Sequence, residues 1–163
     1  MEKIFDLQRF DGPGGTPPSG GPGGGGNDTQ GGGGEGGGSS SSVSWSGATT
    51  YTSGGSYSGQ AYTSTSADEN AVLISTTGTV SITNSTFEKS GGTSASDNYS
   101  FYGINSAVMC MGGGVTSISG GTVTSSAAGA NGIFSYGANS GSTNATGDGT
   151  TVYVKNVTIT TTG

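Results

Sequence analysis

Any chemistry in this 163-residue chain must come from few side chains: ten acids, four bases, one cysteine and no histidine. Histidine is the commonest general acid–base, and carboxylate pairs are the usual substitute. From residue 43 onward the acids are Asp68, Glu69, Glu88, Asp97 and Asp148, the lysines are Lys89 and Lys155, and arginine is absent. Glycoside hydrolysis needs two carboxyl groups about 5–9.5 Å apart. Asp68 and Glu69 are sequence neighbours that would diverge on a strand, so they read as turn residues. Glu88 has no acid at the equivalent place in the repeat described below. The motif GDG at 147–149 offers one aspartate with no periodic recurrence, unlike calcium-binding turns. The glycine runs contain no G-x-x-x-x-G-K-[ST] pattern, so no phosphate loop is expected. Cys110 is alone in the apolar run AVMCM and reads as a small buried hydrophobe. The expectation is a non-catalytic chain with no cofactor and no metal.

Binding chemistry is better represented. Threonines recur in T-x-T pairs, Thr122 with Thr124 and Thr158 with Thr160, and such an array can also order water as ice-binding surfaces do. Tyr57 and Tyr62 lie among serines and glycines, where an exposed ring can stack on a sugar. Thr86, Thr122, Thr158, Tyr57 and Tyr62 are therefore the candidate surface-binding residues, the alternative for Tyr57 and Tyr62 being that they cap the N-terminal end of the stacked strands. The N-x-[ST] contexts at Asn84, Asn98, Asn144 and Asn156 are read as accidents of a serine- and threonine-rich chain. Net charge is −6, with the acids scattered, so nucleic acid and anionic membranes are not expected partners.

The elements that must hold these residues follow from composition. Glycine, serine and threonine together supply 87 residues. All three are poor or middling helix formers, so a helical protein is implausible. Residues 1–10 form a short amphipathic leader that lacks the apolar run of a secretory signal peptide. Residues 11–42 hold all four prolines and sixteen glycines, a disordered linker by composition. From Val43 the pattern changes to short apolar, β-branched runs between small-residue clusters. Ala71–Ile74, Val80–Ile82, Ser100–Tyr102, Ala107–Met111, Ile133–Tyr136 and Val152–Ile159 read as strands.

A shift of 36 aligns Thr50-Tyr51, Thr86-Phe87, Thr122-Val123 and Thr158-Ile159. The same shift relates Ile82, Ile118 and Val154, and Ala71-Val72 with Ala107-Val108. The third Ala-Val is missing at 143, and the segment IFSY at 133–136 takes its place. A repeat of short strands suits a stacked parallel sheet in which each coil buries its inward face on the next. Tyr51, Phe87, Val123 and Ile159 are expected to form one inward row, and Ile82, Ile118 and Val154 a second. Thr50, Thr86, Thr122 and Thr158 would face outward, with small residues at 55, 91, 127 and 163 on corners.

The segments ADENAVLISTTGTVSITNSTFEKSG and NSAVMCMGGGVTSISGGTVTSSAAGANGIFSYG resemble coils of bacterial right-handed parallel β-helix surface proteins of the adhesin-like, pectate-lyase-like kind. The resemblance covers about residues 57–163. It implies an all-β, right-handed parallel β-helix of few coils over 43–163. It also implies a secreted or cell-surface role in adhesion, binding a glycan or another cell's surface. A structural or phage-fibre-type spacer is the alternative reading. The row pattern reaches Gly163 without a capping segment, so further coils or a homo-oligomer are expected to cover that end.

Overall fold

The computed structural model describes residues 43–92, 102–137 and 147–162. The expectations for the leader, the linker, Asp97, Asn98, Asn144 and the corner at Gly163 lie outside the described residues, as does the strand expected over 100–102 save for Tyr102. The elements described are ten strands: β1 (Gly47–Tyr51), β2 (Gly55–Ser58), β3 (Ala61–Ser64), β4 (Asn70–Ser75), β5 (Thr79–Lys89), β6 (Val108–Met111), β7 (Val115–Ser125), β8 (Ile133–Tyr136), β9 (Thr151–Lys155) and β10 (Thr158–Thr161). The fold is all-β, and every pairing is parallel.

Two sheets result. One runs β1-β4-β6-β8. In the other, β2 and β3 lie end to end along β5, β5 lies along β7, and β9 and β10 lie end to end along β7. The chain thus visits the sheets alternately, adding one layer to each at every pass. Residues of adjacent layers stand about 4.8 Å apart in rows, the spacing of strands in a sheet.

The alternation apolar-in, polar-out is clear in the second sheet, where β5 reads exposed, buried, intermediate, buried from Thr79 to Ile82. The first sheet behaves differently. Ala71, Val72, Leu73 and Ile74 are all buried, as are Val108, Met109 and Cys110. Val72, Ile74, Val108 and Cys110 join the central core, while the Leu73–Met109–Phe134 row faces the other way. Residues around Gly103 cover that second face, for a side chain there would meet the Phe134 ring. A strand covered on both faces reads as a continuous apolar run, as NAVLIS and AVMCM do. Burial pushes the Cys110 thiol up to about 12, keeping it protonated.

The register revises the repeat. Ile82, Ile118 and Val154 do share a row, and so do Phe87, Val123 and Ile159. Tyr51 does not join them: it pairs with Ile74 in the first sheet, and Tyr62 takes the place beside Phe87. Thr50 consequently leaves the outward threonine row, where Ala61 stands instead. Gly55 lies within β2 beside Val80 and turns no corner. The reason is a shorter underlying period. Tyr62 to Phe87, Tyr57 to Ile82 and Val108 to Ile133 are each separated by 25 residues. The shift of 36 recurs only where the chain carries eleven extra residues, between β5 and β6 and again between β8 and β9.

One row explains the bends. Gly59, Asn84, Gly120 and Asn156 follow equivalent residues in four successive layers, and all have positive φ, at 65°, 48°, 72° and 53°. This left-handed conformation is cheap for glycine and tolerable for asparagine, and costly for most other residues. The two asparagines read from sequence as accidents therefore hold a backbone position.

Candidate functional site

The outward face of the second sheet is built from the polar half of each alternation. Thr86, Thr122 and Thr158 lie exposed on one row, and Thr63, Glu88, Thr124 and Thr160 on the next. Glu88 therefore sits between Thr63 and Thr124, where the repeat had placed Thr52. Within each strand the paired threonines are two residues apart, about 6.6 Å on an extended backbone. Beyond the bend the face continues with Ser56, Ser81 and Ser117 on one row, ending at Tyr153. Tyr153 is 61% exposed, the most exposed large apolar side chain among the described residues. Val152 and Val154 alternate with it, and their inward direction forces the tyrosine outward. The alternation TVYVK carries this signal in the sequence, although attention to tyrosines 57 and 62 passed over it.

Those two tyrosines are not a surface pair. Tyr62 is 3% exposed, with its ring stacked on Phe87 at 5.0 Å between centroids and its hydroxyl 3.0 Å from that of Tyr51. Burial and the Tyr51 hydroxyl hold the Tyr62 phenol well above its ordinary range. Tyr57 is half-buried and stacks on Tyr51 at 4.0 Å. Both tyrosines fill the inward rows of the first layer, where a narrow core ends on aromatic rings. The inward rows explain why: Tyr57 meets Ile82, and Tyr62 meets Phe87. A second aromatic group joins Trp45 to Tyr136 at 5.0 Å, with the Trp45 indole donating to the Tyr102 carbonyl at 2.7 Å. Burial raises the Tyr136 phenol as well.

Lys89, which the sequence offers only as one of two lysines after residue 43, has an unexpected place. It is fully buried, on the inward row of Ser64 and Ser125. Its ammonium donates to the Ser64 hydroxyl at 3.4 Å and closely to the Ser66 carbonyl. The Ser64 hydroxyl in turn lies 2.8 Å from a Glu69 carboxylate oxygen. Loss of hydration lowers the Lys89 pKa, while Glu69 and Asp68 pull it the other way. A serine beside a lysine can form a nucleophile–base pair. Here Ser64 is itself buried, so the trio works as an internal tie between β3, β5 and the Asp68 turn.

Replacing Lys89 with methionine should raise stability at neutral pH by on the order of 1 kcal/mol, because the net lowering of its pKa means the fold holds the charged ammonium less well than water does. The folded pKa of Lys89 lies below its ordinary 10.5, so the unfolded chain binds more protons between the two values. The wild type should accordingly gain stability relative to the variant as pH rises toward 10.5. Urea melts of both chains across that range measure the difference. A variant less stable at pH 7 would show that the Ser64 and Ser66 bonds outweigh the desolvation.

Among the described residues no three acids or thiols gather to hold a metal, and no helix is long and apolar enough to cross a membrane. No family model matches the chain, and neither does any curated protein or solved structure.

Proposed function

We propose that residues 43–163 are a right-handed parallel β-helix that acts as a secreted or surface-displayed adhesion module of the adhesin-like kind. Parallel strands laid down alternately in two sheets support the helix reading. The hand follows from strand twist, which makes parallel crossover connections right-handed in the great majority of cases. The ligand class is a glycan, and the observation that carries it is the outward face of the second sheet. There, the row of Ser56, Ser81 and Ser117 hydroxyls ends at a projecting Tyr153, and the threonine rows continue the sheet beyond the bend. A tyrosine ring covers the apolar face of a pyranose, and flanking hydroxyls can donate to or accept from the sugar. Glu88 is the one acid within the threonine rows, so no carboxylate pair is available on them for hydrolysis. The module binds and does not cut.

A glycan array probed with the full chain tests this. Binding that falls at least tenfold in Tyr153→Ala and survives in Tyr153→Phe is the expected result. Absence of glycan binding, or binding indifferent to Tyr153→Ala, ends the reading. A second reading, a structural or fibre-type spacer, draws on the open edges of the last layer, and trimerisation in solution would favour it.

A further inference from the structure

The exposed large apolar side chains among the described residues are Tyr153, Val154 and Ile159, all on β9 and β10. Val154 and Ile159 are inward-row residues with no further member of their rows among the described residues, and they are 39% and 47% exposed. Both strands pair with β7 on one side, and their opposite edges carry no partner among the described residues. An unpaired edge bearing apolar side chains is a template for another strand.

The opposite end of the same sheet fits that template. β2 and β3 also pair on one side, with β5. In β2–β3 the left-handed residue is Gly59, with inward Tyr57 two positions before it and inward Tyr62 three positions after. In β9–β10 the left-handed residue is Asn156, with Val154 two before and Ile159 three after. The two ends thus share bend position, strand direction and spacing of inward residues. Laid in that register, Tyr57 would stand on Val154 and Tyr62 on Ile159, as Tyr57 stands on Ile82 and Tyr62 on Phe87 within the chain. Outside, Lys155 would meet Ser58 and Thr160 would meet Thr63, so no like charges oppose.

We propose that the last layer, β9 and β10, is a docking surface for the first layer, β2 and β3, of a second copy of this chain. The two surfaces differ, so the contact is heterologous and does not close on itself. Copies would add head to tail along the stacking direction, forming filaments. The proposal rests on the stacked register and not on glycan binding; the residues tested here face inward, and Tyr153 is left unchanged.

Sedimentation velocity of the full chain over a concentration series is the test, with Ile159→Lys and Val154→Lys as end variants and Thr77→Lys as a control on an exposed turn. The expected result is a mass climbing from 15.7 kDa with no ceiling at two copies, unaffected by Thr77→Lys. Each end variant alone should stay monomeric with an unchanged circular dichroism spectrum. Added to wild type, it should still offer its first layer and so terminate growing chains, shortening them in proportion to its share. A mass fixed at 15.7 kDa, a plateau at two copies, or end variants that assemble like wild type would each overturn the proposal. Should one variant misfold, the other decides.

Discussion

Phe87→Ala should cost about 3–5 kcal/mol, the usual range for emptying a buried aromatic site, and so consume much of the roughly 5–15 kcal/mol that holds a domain folded. Phe87 is 1% exposed, stacks on the Tyr62 ring, and stands between Tyr62 and Val123 on its row. Few neighbours can relax into the space: Val123 lies on β7, which is paired on both sides, and Tyr62 is held by its pairing with β5 and its hydroxyl contact with Tyr51. The row is also thin, with one large side chain per layer, so a missing ring interrupts it completely. Phe87→Leu keeps most of the volume and should lose less than about half as much. Urea melts compare the three chains. An alanine variant within 1 kcal/mol of wild type, on the scale where exposed sites fall, would mean the row contributes little.

Gly121→Ala is the second large effect, and its origin is backbone contact. A β-carbon on Gly121 would lie 1.9 Å from the Ser85 carbonyl oxygen, and φ there is 93°. Nothing flexible can yield: the obstacle is the main chain of β5, paired with β7 over ten residue positions. Either the sheet parts locally or the bend reverses, and a loss above about 4 kcal/mol is expected, the exceptional range for a single substitution. Its neighbour gives the contrast. Gly120 also has positive φ, but the nearest atom to its missing side chain is the Asn84 side-chain oxygen, which can rotate away. Asn84 and Asn156 already serve at that row, so Gly120→Asn should be tolerated to within about 1 kcal/mol, the cost that a left-handed asparagine largely avoids. Expression yield and thermal melting of the two variants test the pair; equal losses would contradict it.

These sites show what the sequence could disclose. Strands over Ala71–Ile74, Ala107–Met111 and Ile133–Tyr136 were legible because their apolar runs are bounded by small residues. The Ile82–Ile118–Val154 row was legible because both of its intervals happen to be 36. The first layer was not. Its threonine and tyrosine at 50–51 imitate the repeat, whereas the residues that belong beside Thr86 and Phe87 are Ala61 and Tyr62, at a spacing of 25. Tyr62 reads from sequence either as a surface ring or as a cap on the first layer, and the alternation of β3 decides for burial. The burial of Lys89 was not legible for a different reason: its acceptors, the Ser64 hydroxyl of β3 and the Ser66 carbonyl just after it, come from a strand 25 residues away. On the outward face of the second sheet the threonine rows could be foreseen, and Tyr153 needed the pairing of β9 with β7 to join the row of Ser81 and Ser117.

The eleven extra residues have a consequence for how such a chain can change. They enter twice, between β5 and β6 and between β8 and β9, while the strands on either side keep their register. Loop-closure entropy grows only logarithmically, by about 0.6 kcal/mol for each doubling of length. Length can therefore change at these two junctions at small entropic cost, while composition is constrained at residues 103–107 of the first, which are buried against the neighbouring layer. Either junction can lengthen without moving the register of the strands on its two sides.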